Sequence, residues 1–164
     1  FTSRNFKVVS ESGHIYGYGK SVWALIDTGT REPSDIFAIR EGLINEYIEK
    51  DYICPIGKSS RVKITDKASL IRSIDNYYCD VDVNGHINSV KYIEHIFDLW
   101  DLAWYRQHTI KRLEIAYVAE SHQGDRLHLY REQRDSDLDF NVRITKSNEL
   151  CEEIEACRCR VLFG

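Results

Sequence analysis

One apolar stripe of helical period, flanked by segments of strand-like alternation, constrains this chain more than any other feature. Val90, Ile93, Ile96, Phe97, Trp100, Ala103 and Trp104 recur at i, i+3, i+4, i+7 spacing, while Lys91, Glu94, Asp98 and Asp101 take the other side. That is the pattern of a helix with one buried face. Asn88 or Ser89 can cap it, because a side-chain oxygen there satisfies an N–H of the first turn. Strands are expected near Ser73–Cys79 before the helix and near Arg112–Glu120 and Leu127–Gln133 after it, followed by a hairpin over 139–163. One long helix with antiparallel strands implies an α+β fold, a curved sheet wrapped around the helix.

The last hairpin has a weak counterpart at the start of the chain. NFKVVSESGHIYGYGKSVWALI (5–26) and DFNVRITKSNELCEEIEACRCRVLF (139–163) each begin x-F-x-V, turn through polar residues and end in a longer alternating strand. If this is a repeat, the second copy has about 70 residues in front of its hairpin and the first has four. The first copy then lacks its front half, and the expectation is a tandem-domain protein of which this chain is an incomplete piece. The absence of methionine and the opening FTSRNFKVV, already in strand pattern, point the same way. Between the copies, Glu32–Lys58 holds both prolines and a short helical pattern, Asp35–Glu49, with Phe37, Ile39, Leu43, Ile44 and Ile48 on its apolar side. It is too hydrophobic for a flexible linker and reads as an ordered connector.

Bulk properties narrow the function classes. The chain has 164 residues, enough for a real core, with 43% hydrophobic and 29% charged residues. No apolar run approaches the roughly 18 residues of a membrane span, and no signal peptide is visible. A net charge of −4 gives a nucleic-acid role no electrostatic support, so an acidic partner would have to meet a local basic patch. The five cysteines (54, 79, 151, 157 and 159) form no C-x-x-C. They read as small buried hydrophobes in a reducing cytoplasm. Cys157 and Cys159 should share one strand face, and with no nearby histidine they lack a tetrahedral metal-ligand set.

The lead-in to the helix is unusually polar: Asp80, Asp82, Asn84, Gly85, His86 and Asn88 fall within nine residues. Asp, Asn and Gly are ordinary turn formers. A helix N-terminus, however, also presents unpaired N–H groups and positive dipole charge, which suit a carbonyl oxygen gaining negative charge. Gly85 lets backbone approach a ligand closely. In an extended lead-in Asp82, Asn84 and His86 would alternate onto one side and converge.

The string DVDVNGHINSVKYI (Asp80–Ile93) resembles the signature D-x-D-x-N-x-H-x-N-x-x-K-Y of acyl-acyl-carrier-protein thioesterases, tandem hotdog-fold enzymes of bacteria and plant plastids. LEIAYVAESHQGD (Leu113–Asp125) is similar to that family's strand motif L-E-x-x-Y-x-x-E-[CS]-x-x-G-D, and SVWALIDTGTREP (Ser21–Pro33) to the end of its first hotdog domain. The resemblance covers nearly the whole chain in the right order. It implies that residues 1–33 are the last two strands of a truncated N-terminal hotdog, 34–70 an ordered connector, and 71–164 a complete C-terminal hotdog carrying the catalytic residues.

Carried over position by position, the resemblance assigns Asp82, Asn84, His86 and Glu120 as catalytic, with Gly85 supplying backbone to an oxyanion site. Ser121 stands where plant relatives have Cys, which weakens any thiol-nucleophile role. Glu120 and His86 are the best water-activating groups. Glu120 shares the strand parity of Ala116 and Val118 and would reach inward, and burial would raise its basicity. Asp82 is assigned to orienting His86 and Asn84, with direct base or nucleophile as the alternative. Asp80 reads as a turn or capping residue, and Tyr92 as core. The implied activity is hydrolysis of an acyl-ACP thioester to free fatty acid by activated water, in a bacterial cytoplasm, with no cofactor and no metal. The partner is an acyl carrier protein with a phosphopantetheine-linked acyl chain, met by Lys91, Arg106, Lys111 or Arg112. Association of copies through sheet edges is also expected. An acyl-CoA thioesterase and a catalytically idle lipid-binding module are the alternatives.

Overall fold

The computed structural model describes residues 1–57, 62–147 and 152–164. The chain divides into two units, Phe1–Lys58 and Ser59–Gly164. In the first, β1 (Thr2–Val9) and β2 (Ile15–Trp23) form an antiparallel hairpin with Thr2 opposite Trp23. Ser10 closes the turn. Its N–H donates to the His14 carbonyl at 2.8 Å, its Oγ accepts from the His14 N–H at 3.0 Å, and Gly13 takes a φ of +85°. The segment expected to be helical, Asp35–Glu49, instead winds as short 3-10 turns over Ile36–Tyr47, broken where Arg40, Glu41 and Gly42 take positive φ. No residue of this stretch is buried. Short helices depend on packing of their apolar face, and this one has none within the unit to enforce a continuous helix.

The second unit contains β3 (Ser69–Asp75), α1 (Ser89–Phe97), α2 (Leu102–Gln107), β4 (Ile110–Tyr117), β5 (Arg126–Gln133), β6 (Asp139–Ser147) and β7 (Glu153–Phe163). Its sheet runs β3-β5-β6-β7-β4, antiparallel throughout. Register shifts in β3, β4 and β7, where Ile71, Lys111 and Ala156 have no residue opposite them, curve it, as an extra residue on one strand does. One face buries Leu127, Leu129, Phe140, Val142, Ile144, Cys157, Cys159, Val161 and Phe163 against Tyr92, Ile96, Leu99 and Trp100. Trp100 meets Phe140 and Phe163 edge-on, with ring centroids 5.2 and 5.0 Å away. Among the described residues no helix is long and apolar enough to cross a membrane.

Three expectations are corrected here. The single long helix is two: α1 ends at Phe97, and Asp101 starts α2 by accepting from the Trp104 N–H at 2.8 Å. Aspartate bonds nearby backbone outside helices more readily than it continues them, so Asp98 and Asp101 punctuate the stripe. The buried face is also rotated from the stripe expected: Val90, assigned to it, is 52% exposed, while Leu99, outside it, is 7% exposed. The strand expected near Ser73–Cys79 ends at Asp75, and Tyr78–Asp80 is a 3-10 turn.

Cys157 and Cys159 are fully buried on one face as expected. Burial pushes the Cys157 thiol up to about 12 and the Cys159 thiol up as well. Cys79 is exposed and Cys54 half-buried, so neither behaves as the expected core hydrophobe. Cys151 lies outside the described residues.

Candidate active site

The polar lead-in is a closed turn rather than an extended run. The Asp82 N–H donates to the His86 carbonyl at 2.8 Å, and Val81 bridges to Ile87. Gly85 takes a φ of +81°, which a residue with a Cβ adopts only at a cost. The Asp82 carboxylate accepts from the Asn84 N–H at 2.8 Å and the His86 N–H at 3.4 Å, the geometry of an Asx turn. Alternation therefore does not bring the three side chains together. Asp82 and His86 line a cavity of about 260 Å³, while Asn84 is exposed at the turn and does not line it. The Gly85 N–H, expected to face a carbonyl oxygen, donates to the Asp82 carbonyl at 3.0 Å, and the neighbouring His86 N–H donates to the Asp82 carboxylate.

Glu120 reaches the same cavity by a route other than strand parity. β4 stops at Tyr117, and the N–H groups of Val118 and Ala119 both donate to the Ala156 carbonyl, at 2.8 and 3.2 Å. This irregularity puts Val118, Ala119 and Glu120 all on the cavity. The Ile87 N–H donates to the Ser121 carbonyl at 2.8 Å and ties the two loops together. Lys146 Nζ anchors the second loop through the Glu120 carbonyl at 2.7 Å and Asp125 Oδ2 at 3.2 Å. The outcome is a pair across the loops, His86 Nε2 to Glu120 Oε2 at 3.4 Å. The Glu120 side chain is 49% exposed, not buried as expected.

The neighbouring groups sort plainly. Ser121 is fully buried. Tyr92 is both core and cavity wall, and burial pushes its hydroxyl pKa up. Tyr117 donates its hydroxyl to the Ser89 carbonyl at 2.9 Å, and burial raises its pKa to about 12, so it remains a donor. Asp80 caps, accepting from the Tyr77 N–H at 2.8 Å through its carboxylate and from the Asn88 N–H at 2.8 Å through its carbonyl. A purely surface role for Glu120 would have paired it with Arg112 or Arg126. Arg112 instead meets Glu114 at 2.8 Å, and Arg126 meets Asp75 at 3.6 Å. Of the basic residues considered for a carrier protein, Lys91 is paired with Glu94 at 3.0 Å, while Arg106 and Lys111 are exposed.

Sequence reasoning missed His122 and Lys146. The His122 ring stands edge-on to His86 with centroids 5.1 Å apart. The only signal for it was its place beside Glu120 and Ser121. Lys146 belongs to no motif, and only folding brings β6 to the loop.

A curved antiparallel sheet packed over a central helix, with a polar loop pair at the helix N-terminus, defines a hotdog-fold protein of the thioesterase type. A family model for the acyl-ACP thioesterase C-terminal domain matches residues 63–160, and the chain belongs to that family. Over 99% of its length it is similar to an acyl-ACP thioesterase from Bacteroides thetaiotaomicron, with 40% identity, a TM-score of 0.86 and 62% of that chain covered. The fold alone is shared with the 12:0-ACP thioesterase from Umbellularia californica, at 21% identity and a TM-score of 0.82 over 99% of this chain and 62% of that one. A chloroplastic palmitoyl-acyl carrier protein thioesterase of Gossypium hirsutum is 27% identical over 142 residues, 85% of this chain. The chain spans 34% of that protein's length.

Proposed function

We propose that this chain carries the catalytic part of an acyl-ACP thioesterase, which hydrolyses the thioester of a fatty acyl-carrier protein to free fatty acid. The observation that carries the reading is the 3.4 Å approach of His86 Nε2 to Glu120 Oε2 at a cavity also lined by Ile87, Tyr92, Tyr117 and Val118. An acid–base pair beside an apolar wall is what hydrolysis of a lipid thioester requires. Water held between the two groups attacks the carbonyl carbon as the pair takes its proton. Collapse of the tetrahedral intermediate breaks the C–S bond, and the proton passes to the departing thiolate. Asp82 holds the turn that orients His86.

The likeness to named acyl-ACP thioesterases supports an acyl carrier protein as partner, and exposed Arg106 and Lys111 suit its acidic surface or the phosphopantetheine phosphate. In this reading residues 1–33 close an N-terminal hotdog, 34–70 connect, and 71–164 form the catalytic hotdog. The thiols of Cys54, Cys79, Cys157 and Cys159 fit a reducing cytoplasm, and the family match supports a place in fatty acid biosynthesis. Edge strands β3 and β4 are where copies would associate.

The test is hydrolysis by the full chain of acyl-ACP and acyl-CoA side by side, with His86→Ala and Glu120→Gln. Each variant should lose at least about tenfold in turnover while its circular dichroism stays unchanged. Preference for the CoA thioester would reassign the substrate. Hydrolysis of neither would leave a lipid-binding module.

A further inference from the structure

We propose that His86, Glu120 and His122 form a binding site for a first-row transition metal, with Zn²⁺ the best match, and that metal there shuts the thioesterase site. The ligand atoms of the three side chains all lie within 4.8 Å of one another. Two imidazoles and a carboxylate are a donor set that zinc takes readily, at bonds of roughly 2.0–2.2 Å. Two donors on one tetrahedral ion then stand roughly 3.3–3.6 Å apart. His86 Nε2 and Glu120 Oε2, at 3.4 Å, already have that separation. Only His122 must move, and its side chain is 54% exposed, so a change of rotamer displaces little.

The backbone beneath the three ligands is held from several sides. Asp82 fixes the His86 turn, the Ile87 N–H to Ser121 carbonyl bond joins the loops, and Lys146 grips the Glu120 carbonyl. His122 itself sits in a tight turn. Its N–H donates to Asp125 Oδ2 at 2.9 Å, and the Asp125 N–H donates back to its carbonyl at 3.1 Å. Asp125 Oδ2 lies 4.0 Å from His122 Nδ1, beyond hydrogen-bond distance, so it leaves the ring free to turn. The three ligands thus come from two loops already locked together, and little ordering remains for the ion to impose.

Inhibition follows from the atoms used, and this part rests on the hydrolase reading above. The lone pairs that would take a proton from water, on His86 and Glu120, are the ones the metal would occupy. His122 does not line the cavity, so its loss should weaken the metal site more than the hydrolysis.

The experiment is a Co²⁺ titration of the full chain carrying Cys79→Ser and Cys151→Ser; the first removes the thiol that is exposed among the described residues. Visible d–d bands should saturate at one ion per chain, without a thiolate charge-transfer band, and Zn²⁺ should abolish them. His122→Ala should weaken cobalt binding at least about tenfold. In acyl-ACP hydrolysis Zn²⁺ should inhibit reversibly on chelation, and half-inhibition, measured against each protein's own metal-free rate, should need at least about tenfold more zinc in His122→Ala. Absent bands, equal affinity in His122→Ala, or activation by zinc would each overturn the proposal. If the metal-free chain hydrolyses nothing, the catalytic reading fails, and the cobalt titration still decides whether the site exists.

Discussion

Asp82 and Glu120 both offer a carboxylate to one cavity, but their surroundings give them different work. Asp82 already spends an oxygen on the N–H groups of Asn84 and His86, whereas Glu120 Oε2 points at an imidazole. Asn at position 82 still accepts those two hydrogen bonds, so Asp82→Asn should keep measurable turnover. Glu120→Gln keeps the shape and loses the base, and kcat/KM on acyl-ACP should fall by about 10²-fold or more. The reverse ranking would move the base to Asp82. Ser121 stands outside this chemistry: it is fully buried, and its context, Ala119-Glu120-Ser121-His122, has no G-x-S-x-G elbow to expose a strained serine. Ser121→Ala should retain most turnover, and intact-mass spectrometry during turnover should find no acyl-enzyme. Two turns at the site demand positive φ, at Gly124 in the second loop and at Gly85 in the first. Nothing lies within 4 Å of where its Cβ would be, so Gly85→Ala should cost only the left-handed strain, about 1–2 kcal/mol in thermal unfolding.

At the scale of elements, the capping chemistry decides what periodicity alone misreads. The stripe from Val90 to Trp104 is regular enough to read as one helix, yet Asp101 divides it by capping Trp104. Asp101→Ala should therefore destabilise the fold by about 1 kcal/mol in urea unfolding, where a mid-helix surface aspartate replaced by alanine would be neutral or stabilising. Glu120 shows the complementary error. Its arrival at the cavity looked like alternation, but the strand had ended, and the shared Ala156 carbonyl redirects the chain. Contiguous motifs were legible: Asp80–Ile93 marks one loop and Leu113–Asp125 the other, because both are local in sequence. What joins them was not. The Ile87–Ser121 bond and the Lys146 anchor depend on pairing between distant segments, and no local pattern specifies such pairing.

For the whole molecule, strand alternation and the helical stripe were enough to give the α+β class, while the rotation of the helix against the sheet was not, since it depends on which side chains fit together. That rotation makes His95 half-buried on α1, with a buried Nε2 that lacks a hydrogen-bond partner among the described residues. Burial is the largest influence and lowers its pKa below the ordinary 6.5; Lys91 adds to the lowering, and Asp80, Asp98 and Glu94 oppose it. The position in the last turn of α1 would by itself favour the cation, but desolvation prevails. The folded protein thus holds His95 neutral in a range where the unfolded chain protonates it. Below about pH 6.5 the unfolded state binds more protons, so stability is full above that value and declines as pH falls towards the folded pKa. Urea unfolding should show a lower midpoint at about pH 5.5 than at about pH 8. His95→Leu removes the titrating group and its unsatisfied nitrogen, and should flatten that part of the decline while the other histidines and the carboxylates still contribute theirs. A variant curve parallel to the parent's across this range would show that His95 is hydrated in the folded protein and that the acid sensitivity arises elsewhere.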